Sequence, residues 1–190
     1  MIERLASWDS SLFFFLNSTN ALWLNPIMVF FSSQLIWIPL ILFIFLLSYR
    51  ELPKKQLFLF ILFLLLSIIA SDATSSYIFK NIFKRLRPCR VEEIKLVMNS
   101  FGQKCGGRFG FVSSHAANSF VLLSFFFSSL KNTKKIYHLA WILPFVVSYS
   151  RIYLGVHFPA DVTVGALIGI VWGIVFSSFF KTSKLRGQSS

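Results

Sequence analysis

A chain of 190 residues that is 55% hydrophobic, with 24 phenylalanines and a mean hydropathy of +0.68, is composed as a membrane protein and not as a soluble globular domain. A net charge of +12 and a pI near 10.1 would point to nucleic acid in a soluble chain. Here the Lys and Arg residues lie almost entirely between apolar stretches, so they read as loop charges that set topology, and no nucleic-acid partner is expected.

From the N-terminus, Leu5 to Leu16 alternates an apolar face with Ser7, Asp9, Ser10 and Ser11 and ends in Asn17-Ser18-Thr19-Asn20. That length and polarity suit a helix lying in the membrane interface, within an N-terminal segment of residues 1–25. Glu3 and Asp9 stand where a removable signal would carry a basic start, so the first membrane segment is expected to do the targeting. Five stretches can then span about 30 Å of hydrocarbon as helices: Ile27 to Ser48, Gln56 to Phe79, Ser114 to Leu130, Ile136 to Tyr153 and Val162 to Phe180. The third and fourth are short. Pro26, Pro39 and Pro144 fall in or at the ends of these helices, where neighbouring helices compensate for lost backbone bonds. The long polar segment, residues 80–113, carries Gly102, Gly106, Gly107 and Gly110 near its end and opens onto the third span. The expected architecture is one all-α domain over residues 1–190: a polytopic transmembrane bundle of five spans, an N-terminal interfacial helix and a tail at 181–190.

Five spans place Arg50, Lys54, Lys55, Lys131, Lys134, Lys135, Lys181, Lys184 and Arg186 on one face, all in short segments, which marks that face as cytoplasmic under the positive-inside rule. The 80–113 and 154–161 loops share the other face. These loops are therefore expected toward the periplasm or exterior, and the short chain fits a bacterial inner membrane. Cys89 and Cys105 are the two cysteines and both fall in the 80–113 loop. In that compartment a disulfide is thermodynamically reasonable and two free thiols are the alternative; a bond would contribute about 3 kcal/mol in the loop-entropy model.

Three polar groups converge on that face. Lys80 and Arg87-Pro88 stand at the exit of the second span, and a helix continued to Arg87 would put positions 80, 84 and 87 on one side. Ser113-Ser114-His115 opens the third span, where unpaired backbone N–H groups and the helix dipole favour an anion and a serine can cap the helix or contact an oxyanion. Arg151, His157 and Asp161 flank the connection between the fourth and fifth spans, with Pro159 suited to the first turn of the fifth. Ionisable groups beside a membrane segment cost about 2.5–3.5 kcal/mol each on insertion scales, and an anionic ligand at the membrane surface is the simplest reason to gather them. Asp72, about two turns inside the second span from Lys80, needs a partner such as Asn118, Ser119 or a water; support of the site from behind by Asp72 and Asn118 is one reading and a plain interhelical hydrogen bond the other. Lys84, Arg85, Arg90, Lys95, Lys104 and Arg108 read as solvated loop charges or lipid-headgroup contacts, and His138 as a packing residue.

These residues resemble the three-part signature of the type-2 phosphatidic acid phosphatase family: K-x6-RP, then PSGH, then SR-x5-H-x3-D. The resemblance covers Lys80 to Asp161; its first and third parts are complete, while Val112-Ser113-Ser114-His115 departs from the middle part by a serine where glycine is expected. It implies a membrane phosphatase acting on a phosphorylated lipid without metal or cofactor. In that reading Lys80, Arg87, Ser113, Ser114 and Arg151 bind phosphate, and His157 attacks phosphorus while Asp161 fixes its tautomer. His115 protonates the departing oxygen and then activates water to hydrolyse the phosphohistidine. Undecaprenyl diphosphate is the substrate first favoured, with a lipid A phosphate or phosphatidylglycerol phosphate as alternatives. A protein that holds phosphate lipid without cleaving it is the competing class.

Overall fold

The computed structural model describes residues 2–19, 21–99, 104–130 and 134–186. Asn20, Gly102, Lys131 and the last four residues of the tail, named above, lie outside the described residues. Seven helices of eight residues or more organise the described chain: α1 (Ile2–Asn17), α2 (Asn25–Ser32), α3 (Trp37–Glu51), α4 (Lys54–Phe83), α5 (Ser114–Ser129), α6 (Ile142–Tyr153) and α7 (Pro159–Arg186). Tight 3-10 turns, Gln34–Ile36 and Lys135–Trp141, lead into α3 and α6. The one pairing of extended backbone among the described residues is an isolated antiparallel bridge between Leu86 and Phe109.

Among the described residues, three stretches are long and apolar enough to cross a membrane: Gln34–Glu51, Lys54–Phe83 and Pro159–Leu185. Hydrocarbon offers no partner for backbone N–H and C=O groups, so such runs close their hydrogen bonds within a helix and turn residues such as Ile38, Phe58 and Ile69 outward. The predicted first span, Ile27 to Ser48, is broken. Ser33 is extended (ψ 168°), accepts from Leu35 N–H at 3.2 Å and donates to the Phe30 carbonyl at 2.8 Å. A serine that bonds local backbone on both sides replaces a turn of helix, and α2 ends there.

The centre of the bundle is α4, α5 and α7, whose inward faces bring together Phe60, Leu64, Leu123, Phe125, Phe126 and Phe180. The most extensive pairing joins α5 to α7. Gly165, Gly169 and Gly173 recur every fourth residue of α7 and lie on the α5 backbone: a Cβ at Gly169 would stand 2.2 Å from the Ala117 carbonyl, and one at Gly165 2.6 Å from that of Ser113. Small residues let two helices approach closely where lipid supplies no hydrophobic drive. The seam sets the start of α5 beside the start of α7, and Ser113 N–H donates to the Asp161 carbonyl at 2.9 Å.

The end of α4 differs from expectation. Thr74–Phe79 winds as a π-turn, which inserts a residue into the helical repeat just before Lys80. Lys84 then adopts φ 47° and ends the helix, so Arg87 is extended and not on the helical face of Lys80. The helix therefore stops at Phe83, four residues beyond the Gln56 to Phe79 run and four short of Arg87.

Candidate active site

The first turn of α7 builds the base of the site. Pro159 begins the helix, and Asp161 Oδ2 reaches back to accept from Phe158 N–H at 3.0 Å, as an acidic residue in the first turn of a helix does. The same oxygen lies 3.4 Å from His157 Nδ1, and Asp161 is fully buried. The His-x3-Asp spacing thus makes one carboxylate both a helix cap and the partner of a ring.

On the other side of that ring, Arg87 Nη1 stands 3.1 Å from His157 Nε2 and 3.4 Å from the Val156 carbonyl. A guanidinium has only donors, so Nε2 must accept and the proton of a neutral imidazole belongs on Nδ1, facing Asp161. Burial above all, followed by the nearby charges of Arg87, Arg151 and Lys80, pushes His157 well below the ordinary histidine range, and the ring is neutral at physiological pH. An unprotonated Nε2 pointing at cations is the arrangement a nucleophile needs when the electrophile is an anion.

The cations come from three directions. Arg87 follows the end of α4, its loop clamped where Gly110 N–H donates to the Arg85 carbonyl at 2.8 Å, with Gly110 so close that a Cβ there would meet Arg87 Cγ at 3.0 Å. Arg151, buried in α6, donates to the Ser32 carbonyl at 3.1 Å and to the Ser32 hydroxyl. The break after α2 is what exposes those two acceptors. Lys80 donates to the Ser114 hydroxyl at 2.9 Å, which in turn is 3.0 Å from Ser76 Oγ. The Nε donors of Arg87 and Arg151 are buried without an acceptor among the described residues. Buried charged donors that the protein leaves unpaired fit an anionic ligand with several oxygens.

The start of α5 completes the cluster. Ser113 is buried and its hydroxyl accepts from Ala116 N–H at 3.4 Å, so it caps the helix. His115 sits in the first turn, 5.9 Å from the Trp37 ring, and within electrostatic reach of Arg151, His157, Arg87 and Lys80. Behind Lys80, Asp72 Oδ1 accepts from Ser76 at 3.4 Å and from Asn118 Nδ2 at 3.5 Å, while Ser119 bonds the Ala116 carbonyl instead. Cys89 and Cys105 are joined as a disulfide with Cα atoms 5.8 Å apart, and beside it Arg90 donates to the Gly106 carbonyl at 2.8 Å. His138 stacks on Phe127 at 4.5 Å, away from the cluster.

All eight residues expected to bind or transform phosphate are therefore drawn together by one end of the bundle. A family model described as the PAP2 superfamily matches residues 60–185. The chain belongs to the PAP2 superfamily. Two lipid A 4'-phosphatases, from Bacteroides thetaiotaomicron and Porphyromonas gingivalis, are each 33% identical to it, over 99% and 90% of this chain and 83% and 72% of their own lengths. Relatives named as a phosphatidylglycerophosphatase and an undecaprenyl-diphosphatase match at lower identity over less of this chain. The crystal structure of Aquifex aeolicus LpxE superposes with a TM-score of 0.62 at 26% identity, covering 87% of this chain and 92% of that one. This PAP2 chain is a phosphatase, the activity for which its relatives are named.

Arg85 is the main residue that sequence reasoning misplaced in this PAP2 protein. It is no free loop charge: Nη1 donates to Asp161 Oδ1 at 2.9 Å, Nη2 to Asp9 Oδ2 at 2.5 Å, and its guanidinium lies 4.0 Å from the Phe158 ring centroid. Its signal in the sequence is weak, because a charge two residues from a motif arginine looks like any other basic loop residue. Ser32 and Ser76 were also missed; serines in apolar helices carry no pattern of their own. The Gly165, Gly169, Gly173 spacing, which marks the close seam, was missed as well, although small residues every fourth position are a signal that could have found it.

Proposed function

We propose that the protein hydrolyses the phosphate of a phosphorylated membrane lipid through a phosphohistidine on His157, with a lipid A phosphate as substrate. The observation that carries the chemistry is the line Arg87, His157, Asp161: a buried neutral ring with its Nδ1 proton toward a carboxylate and Nε2 toward a guanidinium. Nε2 forms a bond to phosphorus as the P–O bond to the lipid breaks, and His115 gives its proton to the departing oxygen. His115 next takes a proton from water, the resulting hydroxide displaces Nε2, and inorganic phosphate leaves. Lys80, Arg87 and Arg151 spread positive charge around the equatorial oxygens, as preorganised donors do for a phosphoryl transition state. Ser114 steadies Lys80, and Ser113 contributes by capping α5.

Two relatives that are 33% identical favour lipid A over the undecaprenyl diphosphate first expected, since both carry that substrate in their names. Five crossings, counting α3, α4, α5, α6 and α7 with α1 in the interface, suit the burial of α5 among its neighbours. The Cys89–Cys105 disulfide supports a site on the oxidising, periplasmic side.

A phosphate-release assay on purified protein, offered lipid A, undecaprenyl diphosphate and phosphatidylglycerol phosphate, tests this. Lipid A is expected to be the best substrate, with turnover retained in excess chelator, blocked by vanadate and abolished in His157→Ala. Phosphate lipid bound by both forms but released by neither establishes the binding class instead. A preference for undecaprenyl diphosphate corrects the substrate alone.

A further inference from the structure

The N-terminal helix reaches the base of the site, at the first turn of α7. α1 presents two faces: Trp8 and Phe15 are 72% and 73% exposed, whereas Asp9, Phe13 and Asn17, one and two turns apart, face the bundle. Phe13 is fully buried against Phe158, at 5.3 Å between ring centroids. Asn17 ties the far end of the helix, donating to the carbonyls of Asn99, Ile152 and Tyr153 at 3.0, 3.2 and 2.8 Å. One turn before Phe13, Asp9 Oδ1 accepts at 2.8 Å from Ala160 N–H, a first-turn donor of α7 with no partner within its own helix, and Oδ2 takes Arg85 at 2.5 Å.

We propose that Asp9 and Arg85 are positioning residues for the phosphatase reaction, acting on His157 through Asp161, so that α1 is part of the catalytic apparatus. The reading rests on the phosphatase function proposed above. Each carboxylate oxygen of Asp161 has a distinct duty: Oδ2 holds the His157 ring and Phe158 N–H, and Oδ1 holds Arg85. Arg85 alone would neutralise Asp161 and weaken its support of a ring that becomes positively charged on taking phosphorus. Asp9, 10% exposed at its side chain, offsets that guanidinium, and the Asp9, Arg85, Asp161 group keeps one net negative charge behind the nucleophile. Asp9 also fixes the first turn of α7, from which Asp161 projects. A charge-balanced carboxylate behind a histidine is what orients and stabilises a reacting imidazole.

The test compares kcat and KM for phosphate release by the full-length protein as wild type, Asp9→Asn, Asp9→Glu, Asp161→Asn and the Asp9→Asn/Asp161→Asn double variant. Asn17→Ala serves as a control that loosens α1 at its other end, and thermal stability is measured for each. Asp9→Asn is expected to lower kcat about 10-fold with KM within about twofold, as loss of an orienting partner does. Asp9→Glu restores most of it. In the Asp161→Asn background the further loss is expected to be under about twofold, because residues in one chain of bonds are not additive. A full loss in both backgrounds, a loss confined to KM, or an equal fall in kcat in Asn17→Ala at matched stability overturns the inference and leaves α1 a structural strap. Wild-type protein that releases no phosphate from any lipid overturns the phosphatase reading itself, whereas an active wild type beside an unimpaired Asp9→Asn removes the inference alone.

Discussion

The two flanks of the cation cluster are held in different ways. On the flank of His157, the proposed nucleophile, that ring lies between Arg87 and Asp161, and Asp161 is gripped by Phe158 N–H and by Arg85 at 3.0 and 2.9 Å. Backbone donors and charged groups supply that grip, and burial strengthens each contact. On the lysine flank, Lys80 rests on the hydroxyls of Ser114 and Ser76, and Asp72 is reached only through contacts of 3.4 and 3.5 Å. Hydroxyls rotate and a lysine swings on four carbons, so in the proposed mechanism this flank adapts its donors to a phosphate where the other fixes the attacking atom. A phosphatase needs both: rigid placement of the nucleophile, and charge that follows the phosphoryl group as it transfers.

Arg87→Lys breaks the comparison most sharply. The ammonium keeps the charge but loses the fork that donates to Nε2 and the Val156 carbonyl while leaving Nε for an anion. If the nucleophile flank works by fixed geometry, kcat/KM should fall by about 100-fold, the worth of one to two charge-assisted hydrogen bonds. The same test on the other flank, Lys80→Arg, should lose less. Equal losses would erase the distinction between rigid and adaptable flanks, and steady-state phosphate release measures both.

The pH dependence sharpens it next. Protonated His157 has no lone pair at Nε2 and cannot attack. Burial and the neighbouring cations depress its pKa, so the active, neutral form persists as pH falls below the usual histidine range and is lost only when pH drops through the lowered value. The acidic limb of kcat/KM for the wild type should therefore lie below about 6.5, the unperturbed histidine value. In Arg87→Ala, with one positive charge removed, that limb should move upward. A wild-type limb at or above the ordinary value would mean that the ring is not held as the structure holds it.

These contrasts also explain which parts of the molecule were readable in the chain. Membrane helices are written in long apolar runs, and the Gln56 to Phe79 and Val162 to Phe180 stretches lie within α4 and α7. The eight residues expected from the signature lie together at one end of the bundle, where Asp161, one helical turn from His157, meets both that ring and the N–H at the helix start. The break at Ser33, the π-turn at Thr74–Phe79 and the left-handed Lys84 depend on single local hydrogen bonds and a one-residue change of register, which no hydrophobic period records. Arg85 and Asp9 are 76 residues apart and meet only because α1 folds back on α7.

Asp72→Asn should give the smallest effect and is the finest probe of the lysine flank. Asp72 shares its Oδ1 between Ser76 and Asn118 at the outer limit of hydrogen bonding, and an asparagine retains an acceptor of the same shape. What disappears is its negative charge, two turns from Lys80. With an adaptable flank, Ser114 at 2.9 Å still holds the lysine, and kcat/KM should fall by roughly threefold, within the modest range of a weak polar contact. No change in either turnover or stability would remove Asp72 from the site's support. A loss approaching that of Arg87→Lys would mean instead that this half-buried carboxylate sets the lysine as firmly as Asp161 sets the histidine, and that both flanks are rigid.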